Sequence, residues 1–272
     1  VLYGQMAPGG VINAVSKQPL FTPYGEMKLE YGSYDRIQLS ADVSGPLNAD
    51  GTVAARLTGV YRDADTWVDH VPDDRRYIAP ALSWKISDDT LFTVLGFYQE
   101  IHTRFAAPLA SALVRGDSLP LGRLPRSRFI GEPGFDRYDA KQWAIGYQVS
   151  HRFSDAVAIE HSLRRYEGEL DWDYLTQGAI NAATGDVRRG VSVRREKTGS
   201  TATDTRVKLR FQTGGVQHEV MAGIDGYFPS YRRDRYAGTA TPINIYKPVY
   251  GTLPMIDRRF NGRIFQVDGG RN

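Results

Sequence analysis

The sequence predicts an all-β fold, an antiparallel up-and-down meander forming part of the wall of a transmembrane β-barrel. Three observations lead there. Apolar and polar residues alternate with a period of two in segment after segment, several segments outrun the five or six residues usual for a soluble strand, and tight turns are interspersed with long connections. About ten strands are expected.

The chain opens with a turn. Pro8 sets its own φ, Gly9 and Gly10 accept positive φ, and the β-branched Val11, Ile12 and Val15 follow as a short strand. Taken alone, that is a hairpin of any β protein. From residue 26 the alternation becomes regular: Met27, Leu29 and Tyr31 share one face, and Glu26, Lys28 and Glu30 the other. Next, Ile37, Leu39, Ala41 and Val43 oppose Gln38, Ser40, Asp42 and Ser44. Val53, Ala55, Leu57, Gly59 and Tyr61 oppose a face with Arg56, Thr58 and Arg62. Farther on, Trp143, Ile145, Tyr147 and Val149 oppose Gln142, Gln148, Ser150 and Arg152, and Val207, Leu209 and Phe211 oppose Arg206, Lys208 and Arg210. Segments 141–153 and 217–228 are the long ones. Tight turns are expected at 33–35, 46–51, 87–89, 154–155 and 214–215, and long connections at roughly 63–76, 102–138, 169–204 and 233–257.

Alternation alone leaves two architectures open. A soluble sandwich turns its apolar faces inward, whereas a membrane barrel turns them toward lipid around a polar lumen. Strand length and the repeated long excursions favour the barrel; a carbohydrate-binding β-sandwich stays as the soluble alternative, distinguished by partitioning into water without detergent. No apolar run approaches the ~18 residues of a membrane helix, so any crossing is by strands. There is no cysteine, which excludes disulfides and thiolate metal sites. A net charge of +3, spread along alternating faces, supplies no basic stripe for nucleic acid. The five histidines have neither HxH nor HExxH spacing, and no G-x-S-x-G elbow occurs. An enzyme is therefore not expected; a barrel protease or lipase, the other alternative, would need a Ser-His or Asp-His pair at the outer strand ends.

Several stretches resemble TonB-dependent siderophore receptors. Val1, Leu2, Tyr3 and Gly4, then Pro8, Gly9 and Gly10, then the strand ending at Ser16, Lys17 and Pro19 follow the order in which that family leaves its plug domain for the barrel. Pro120, Gly122, Leu124 and Pro125, followed by Gly131, Glu132, Pro133, Phe135, Asp136, Tyr138 and Asp139, resemble a motif ending a long outer loop. The segment 212–225, with His218 and Asp225, and the loop at 245–251, with Pro248, Tyr250 and Gly251, continue the likeness, although Lys247 stands where Asn is commoner. The resemblance implies residues 1–22 as the end of a plug and 23–272 as the first part of a barrel. Family members have a signal sequence, a TonB box and most of a plug before this point, and close with roughly 22 strands. The chain is thus expected to be an internal piece, not competent for transport alone.

The resemblance also implies a function: binding of a ferric siderophore at the Gram-negative outer membrane, with a TonB energy-coupling complex, membrane lipid and the chelate as partners, no nucleic acid, and no resident cofactor. It places Tyr3 at the plug apex in contact with the chelate, with Gln5 and Met6 in the same turn. His102, Arg104 and Phe105 fall where relatives carry paired aromatics, and Arg104 suits an anionic chelate. Trp172 and Tyr174, an i, i+2 pair on one strand face, are expected either to project together into the vestibule or to join the outer aromatic girdle. A basic and aromatic run at 231–236 reads as a solvated face.

Overall fold

The computed structural model describes residues 15–107, 122–259 and 264–266. Its strands are β1 (Tyr24–Gly32), β2 (Arg36–Pro46), β3 (Val53–Asp63), β4 (Asp73–Ser87), β5 (Thr90–Thr103), β6 (Arg137–Ser154), β7 (Val157–Asn181), β8 (Asp186–Thr213), β9 (Val216–Asn244), β10 (Met255–Asp257) and β11 (Ile264–Gln266). They make one open antiparallel sheet in chain order from β1 to β10, with β11 also pairing with β9. The described residues contain no helix.

Cross-strand register turns the alternation into two surfaces. Met27 pairs with Ala41, Leu29 with Leu39, Val43 with Leu57, and Leu39 with Tyr61, so one face is a continuous apolar field. Among the described residues nothing covers it: Leu29 is 72% exposed, Ile145 54% and Ile224 75%. Water disfavours such a surface, and the described residues form one sheet with no second sheet packed on it, unlike a soluble sandwich. Aromatics punctuate the field at two levels, with Tyr31, Tyr61, Tyr98 and Trp143 toward one end and Trp84, Phe153 and Phe211 toward the other. From Trp143 to Phe153 is about ten residues, ~33 Å of strand; a barrel tilt near 40° shortens this to about 25 Å, the height of a barrel's apolar band.

The opposite face is polar and receives the segment before β1. Lys17 Nζ donates to Asp42 Oδ2 at 2.6 Å, Gln18 Nε2 to Gln148 Oε1 at 2.8 Å, and the Leu20 amide to Ser44 Oγ at 2.8 Å. Arg56 reaches both Asp42 and the Gln18 carbonyl, and the Lys85 ammonium lies 3.9 Å from the Phe21 ring centre. Adjacent residues thus touch β2 and β6 across the same surface, which marks the polar face as the lumen side.

The connections differ from the expectation in an informative way. Residues 169–204 are no loop: β7 and β8 continue far beyond the apolar band as one hairpin, 25 and 28 residues long, closed at 182–185 where Gly185 has φ of 78°. The reason is that beyond the lipid no apolar row is required, so the strand signal becomes an alternation of charged residues. Likewise β9 runs to Asn244, leaving 245–254 as the connection, and β4 begins at Asp73, leaving 64–72. The turn at 33–35 lies at the same end as the long connections, and the Tyr34 carbonyl accepts from the Asp65 amide. Between β5 and β6, the described residues 104–107 and 122–136 contain no strand, in keeping with the long connection expected there.

Buried apolar packing lies in these connections and the strand ends beside them. Leu124, Ile130, Val187, Ile243 and Ile245 form one cluster; Val68, Val71 and Phe129 a second; Leu175, Val191 and Val193 a third, against Phe135 and Tyr236. The loops therefore form a folded cap.

Candidate ligand-binding vestibule

The inner face of the β7–β8 hairpin continues the lumen surface upward. Successive pairings set Tyr138 of β6 opposite Trp172 of β7, Trp172 opposite Arg194 of β8, and Arg194 opposite Arg235 of β9. Strand pleating places Tyr174 above Trp172 on the same face, and the two rings stack with centres 4.7 Å apart. Phe105, entering from the connection after β5, meets Trp172 at 5.8 Å and Tyr174 at 4.9 Å, and Tyr138 meets Trp172 edge-on at 5.6 Å. Arg194 lies 4.7 Å over the Trp172 ring and donates to the Tyr174 hydroxyl at 2.8 Å. The result is an aromatic wall carrying a guanidinium, able to bury flat apolar edges and donate hydrogen bonds.

Of the residues expected in the site, Phe105, Trp172 and Tyr174 are brought together. Arg104 lies behind them with its donors on carbonyls, Nε on Asp136 at 3.0 Å and Nη1 on His70. His102 sits elsewhere: it pairs with Asp139, and the register places both on the outward face, in line with Asp171 and Arg195. Tyr3, Gln5 and Met6 lie outside the described residues. Tyr138, Arg194 and Arg235 carry no single-strand signal marking them for this wall; cross-strand register assembles them. Tyr231, Arg233 and Arg235, read as a solvated run, occupy the inner face of β9, while Arg232 and Tyr236 alternate onto the other.

The cap fixes this wall from outside the bilayer region. Arg189, with its side chain 2% exposed, donates to the carbonyls of Thr241 at 2.8 Å and Gly131 at 2.9 Å and lies 3.9 Å from Glu132, which accepts from the Gly251 amide. Asp136 is buried beside them, in a space so close that a side chain at Gly131 would collide with its carboxylate. Burial pushes the Asp136 carboxyl up to about 7, against the pull of the Glu132 and Leu175 amides and Arg189, with Glu132 adding to the rise. Burial also lowers the Arg189 pKa. Among the described residues, no group of three His, Asp or Glu could hold a metal ion.

An apolar face directed to lipid, a polar lumen-side face and a folded cap define part of the wall of a transmembrane β-barrel. Comparison with known proteins narrows the class. No family model matches the chain. The ferrioxamine B receptor of Salmonella typhimurium is 31% identical over 258 residues, covering 93% of this chain and 36% of that protein. The ferrichrome outer membrane transporter/phage receptor of Escherichia coli K12 is 29% identical over 272 residues, 92% of this chain and 36% of that one. Among solved structures, the ferripyoverdine receptor of the Pseudomonas aeruginosa outer membrane, bound to ferripyoverdine, superposes with a TM-score of 0.81 over 93% of this chain and 35% of its own, at 22% identity. The closed form of the ferric-catecholate import receptor of E. coli K12 gives 0.78 over 98% and 39%, at 19% identity. The chain belongs to the family of TonB-dependent siderophore receptors of the outer membrane, and spans about a third of the length of the relatives it matches.

Proposed function

We propose that this chain supplies one wall and part of the outer cap of a receptor that binds a ferric siderophore and admits it through the lumen in a TonB-dependent cycle. The observation that carries the reading is the wall of Phe105, Tyr138, Trp172, Tyr174 and Arg194 on the lumen-continuous face, at the cap end of a sheet whose other face suits lipid. Its chemistry fits a chelate: rings cover apolar ligand edges, and guanidinium and hydroxyl groups meet the oxygens around iron. Iron arrives already chelated, as cargo. In the same reading, residues 1–22 are the end of the plug, with Tyr3, Gln5 and Met6 at its apex, and 23–272 begin the barrel. The contacts of Lys17 and Gln18 with Asp42 and Gln148 would seat that plug end on the wall.

The test is uptake. A strain lacking the receptor that contains this chain should lose growth and radioactive-iron accumulation on at least one ferric siderophore under iron limitation, and a plasmid copy should restore both. Accumulation should stop when the inner-membrane proton gradient is dissipated, while surface binding persists. Undiminished uptake of every siderophore tested in the deleted strain would refute the proposal.

A further inference from the structure

Charge is distributed differently on the two faces of the long strands. On the outward face above the lipid band, acids and bases neutralise each other. Arg137 and Arg195 both bond Asp173, Lys197 meets Glu169 at 2.5 Å, and Glu100 lies 3.8 Å from both Arg76 and Lys141. The inward face is closed only in part: Arg56 pairs with Asp42, Arg62 with Asp73, Arg206 with Asp204 and Lys208 with Glu160, but other bases there are left over. Arg75, Arg194, Arg233 and Arg235 sit on inward rows of β4, β8 and β9, and Arg164 lies deeper on β7, 5.6 Å over the Phe97 ring. Among the described residues none of these five guanidiniums has a carboxylate within salt-bridge distance. Glu196, opposite Arg233, is the nearby acid, beside the Tyr231 hydroxyl.

A second observation concerns hydrogen bonds. The Nε of Arg75, the Nε of Arg233 and the indole nitrogen of Trp172 are buried without a partner, and all three are donors on the inward rows. Buried donors are nearly always satisfied, so these three are left in want of acceptors.

We infer that the vestibule takes a ferric chelate of net negative charge, with acceptor oxygens on its periphery, in preference to a neutral or cationic one. This rests on the siderophore-receptor reading above and specifies its substrate class. Catecholate and hydroxycarboxylate chelates both present that chemistry, with oxygens bound to iron(III) and charge spread over the outer surface. A guanidinium meets such oxygens with paired N–H donors, and an aromatic wall accepts the flat ring of a catechol.

The test uses the receptor containing this chain, purified in detergent, and intrinsic tryptophan quenching with three iron(III) probes: a trianionic tris-catecholate, a citrate complex and a neutral tris-hydroxamate. At least one anionic probe should bind about tenfold or more tightly than the neutral one, and added salt should weaken only the anionic binding. Which anionic probe wins distinguishes the two sources. Arg233→Gln and Arg235→Gln should each cost the preferred anionic probe roughly tenfold or more and leave the hydroxamate within about twofold, while Lys197→Gln, on the outward ladder, should change neither. Equal or tighter binding of the neutral probe, or equal losses for all probes in the arginine variants, overturns the inference and leaves the receptor reading intact. Absence of binding for every chelate by an assembled barrel overturns both.

Discussion

Arg189→Met removes a cation buried beside the carboxyls of Glu132 and Asp136, and its effect can be worked from the contacts. The guanidinium gives hydrogen bonds to the Thr241 and Gly131 carbonyls and faces Glu132 at 3.9 Å, with almost none of its side chain exposed. Methionine fills similar volume and supplies none of these donors. Breaking a buried charge pair from one side costs about 3–5 kcal/mol, because the remaining charge is left unpaired. Confined to the cap, that raises its open population roughly a hundred- to several-thousandfold. Amide hydrogen exchange of the detergent-solubilised receptor reads this directly. Residues 122–136 and 245–254 should lose protection, while the lipid-level parts of β5 and β6 keep theirs. Adding Glu132→Gln should recover part of the loss, since it deletes the orphaned charge. Unchanged protection at 122–136 in Arg189→Met would refute the view that this buried cluster holds the cap.

Three further outcomes are expected. Because the Asp136 carboxyl titrates near 7 when folded and near the ordinary 3.8 when exposed, the closed cap binds more protons than the open one. Cap stability should therefore be full below about pH 4, fall as pH rises to about 7, and level off above it; Asp136→Asn should flatten the exchange of residues 122–136 over that window, and an equally sloped profile in the variant would defeat the assignment. Spin labels at Leu57 and Leu209 should be relaxed by lipid-soluble oxygen and labels at Arg56 and Arg206 by an aqueous nickel reagent, whereas reversed accessibilities would mean that the apolar face does not meet lipid. Trp172→Ala, which removes contacts to Phe105, Tyr138, Tyr174 and Arg194, should weaken binding of the cognate chelate by about 1–3 kcal/mol, roughly five- to a hundredfold. Ile145→Ala, on the lipid face, should leave affinity unchanged, and equal titration curves for wild type and Trp172→Ala would remove the indole from the site.

Where the chain meets lipid, the fold was legible from sequence. A strand between lipid and lumen must alternate, so Met27, Leu29 and Tyr31, or Trp143 and Ile145, announce both the strand and its two faces. Above the lipid the same backbone geometry persists without that demand. Asp171, Asp173, Arg195 and Lys197 then face outward into ion pairs, and the hairpin of β7 and β8 looks like a polar loop. The Trp172 and Tyr174 pair could be found because i, i+2 spacing is local. Tyr138, Arg194 and Arg235 could not, since their meeting with Trp172 depends on a register across four strands.

Parity decided the other case. His102 and Thr103 are neighbours in sequence, yet the pleat sends His102 outward to Asp139 and leaves Thr103 opposite Tyr138 on the inner row. By itself, then, the sequence determined the all-β class and which residues share an apolar face, because these follow from a period of two within single strands. The choice of lipid over a second sheet leaned on strand length and long connections, and the aromatic candidates on the family resemblance. Only the tertiary structure decided the cap, the buried Glu132, Asp136 and Arg189, and the unneutralised inner arginines. Those depend on which residues distant in the chain are pressed together out of water, where an ion pair made or missing carries its energetic weight.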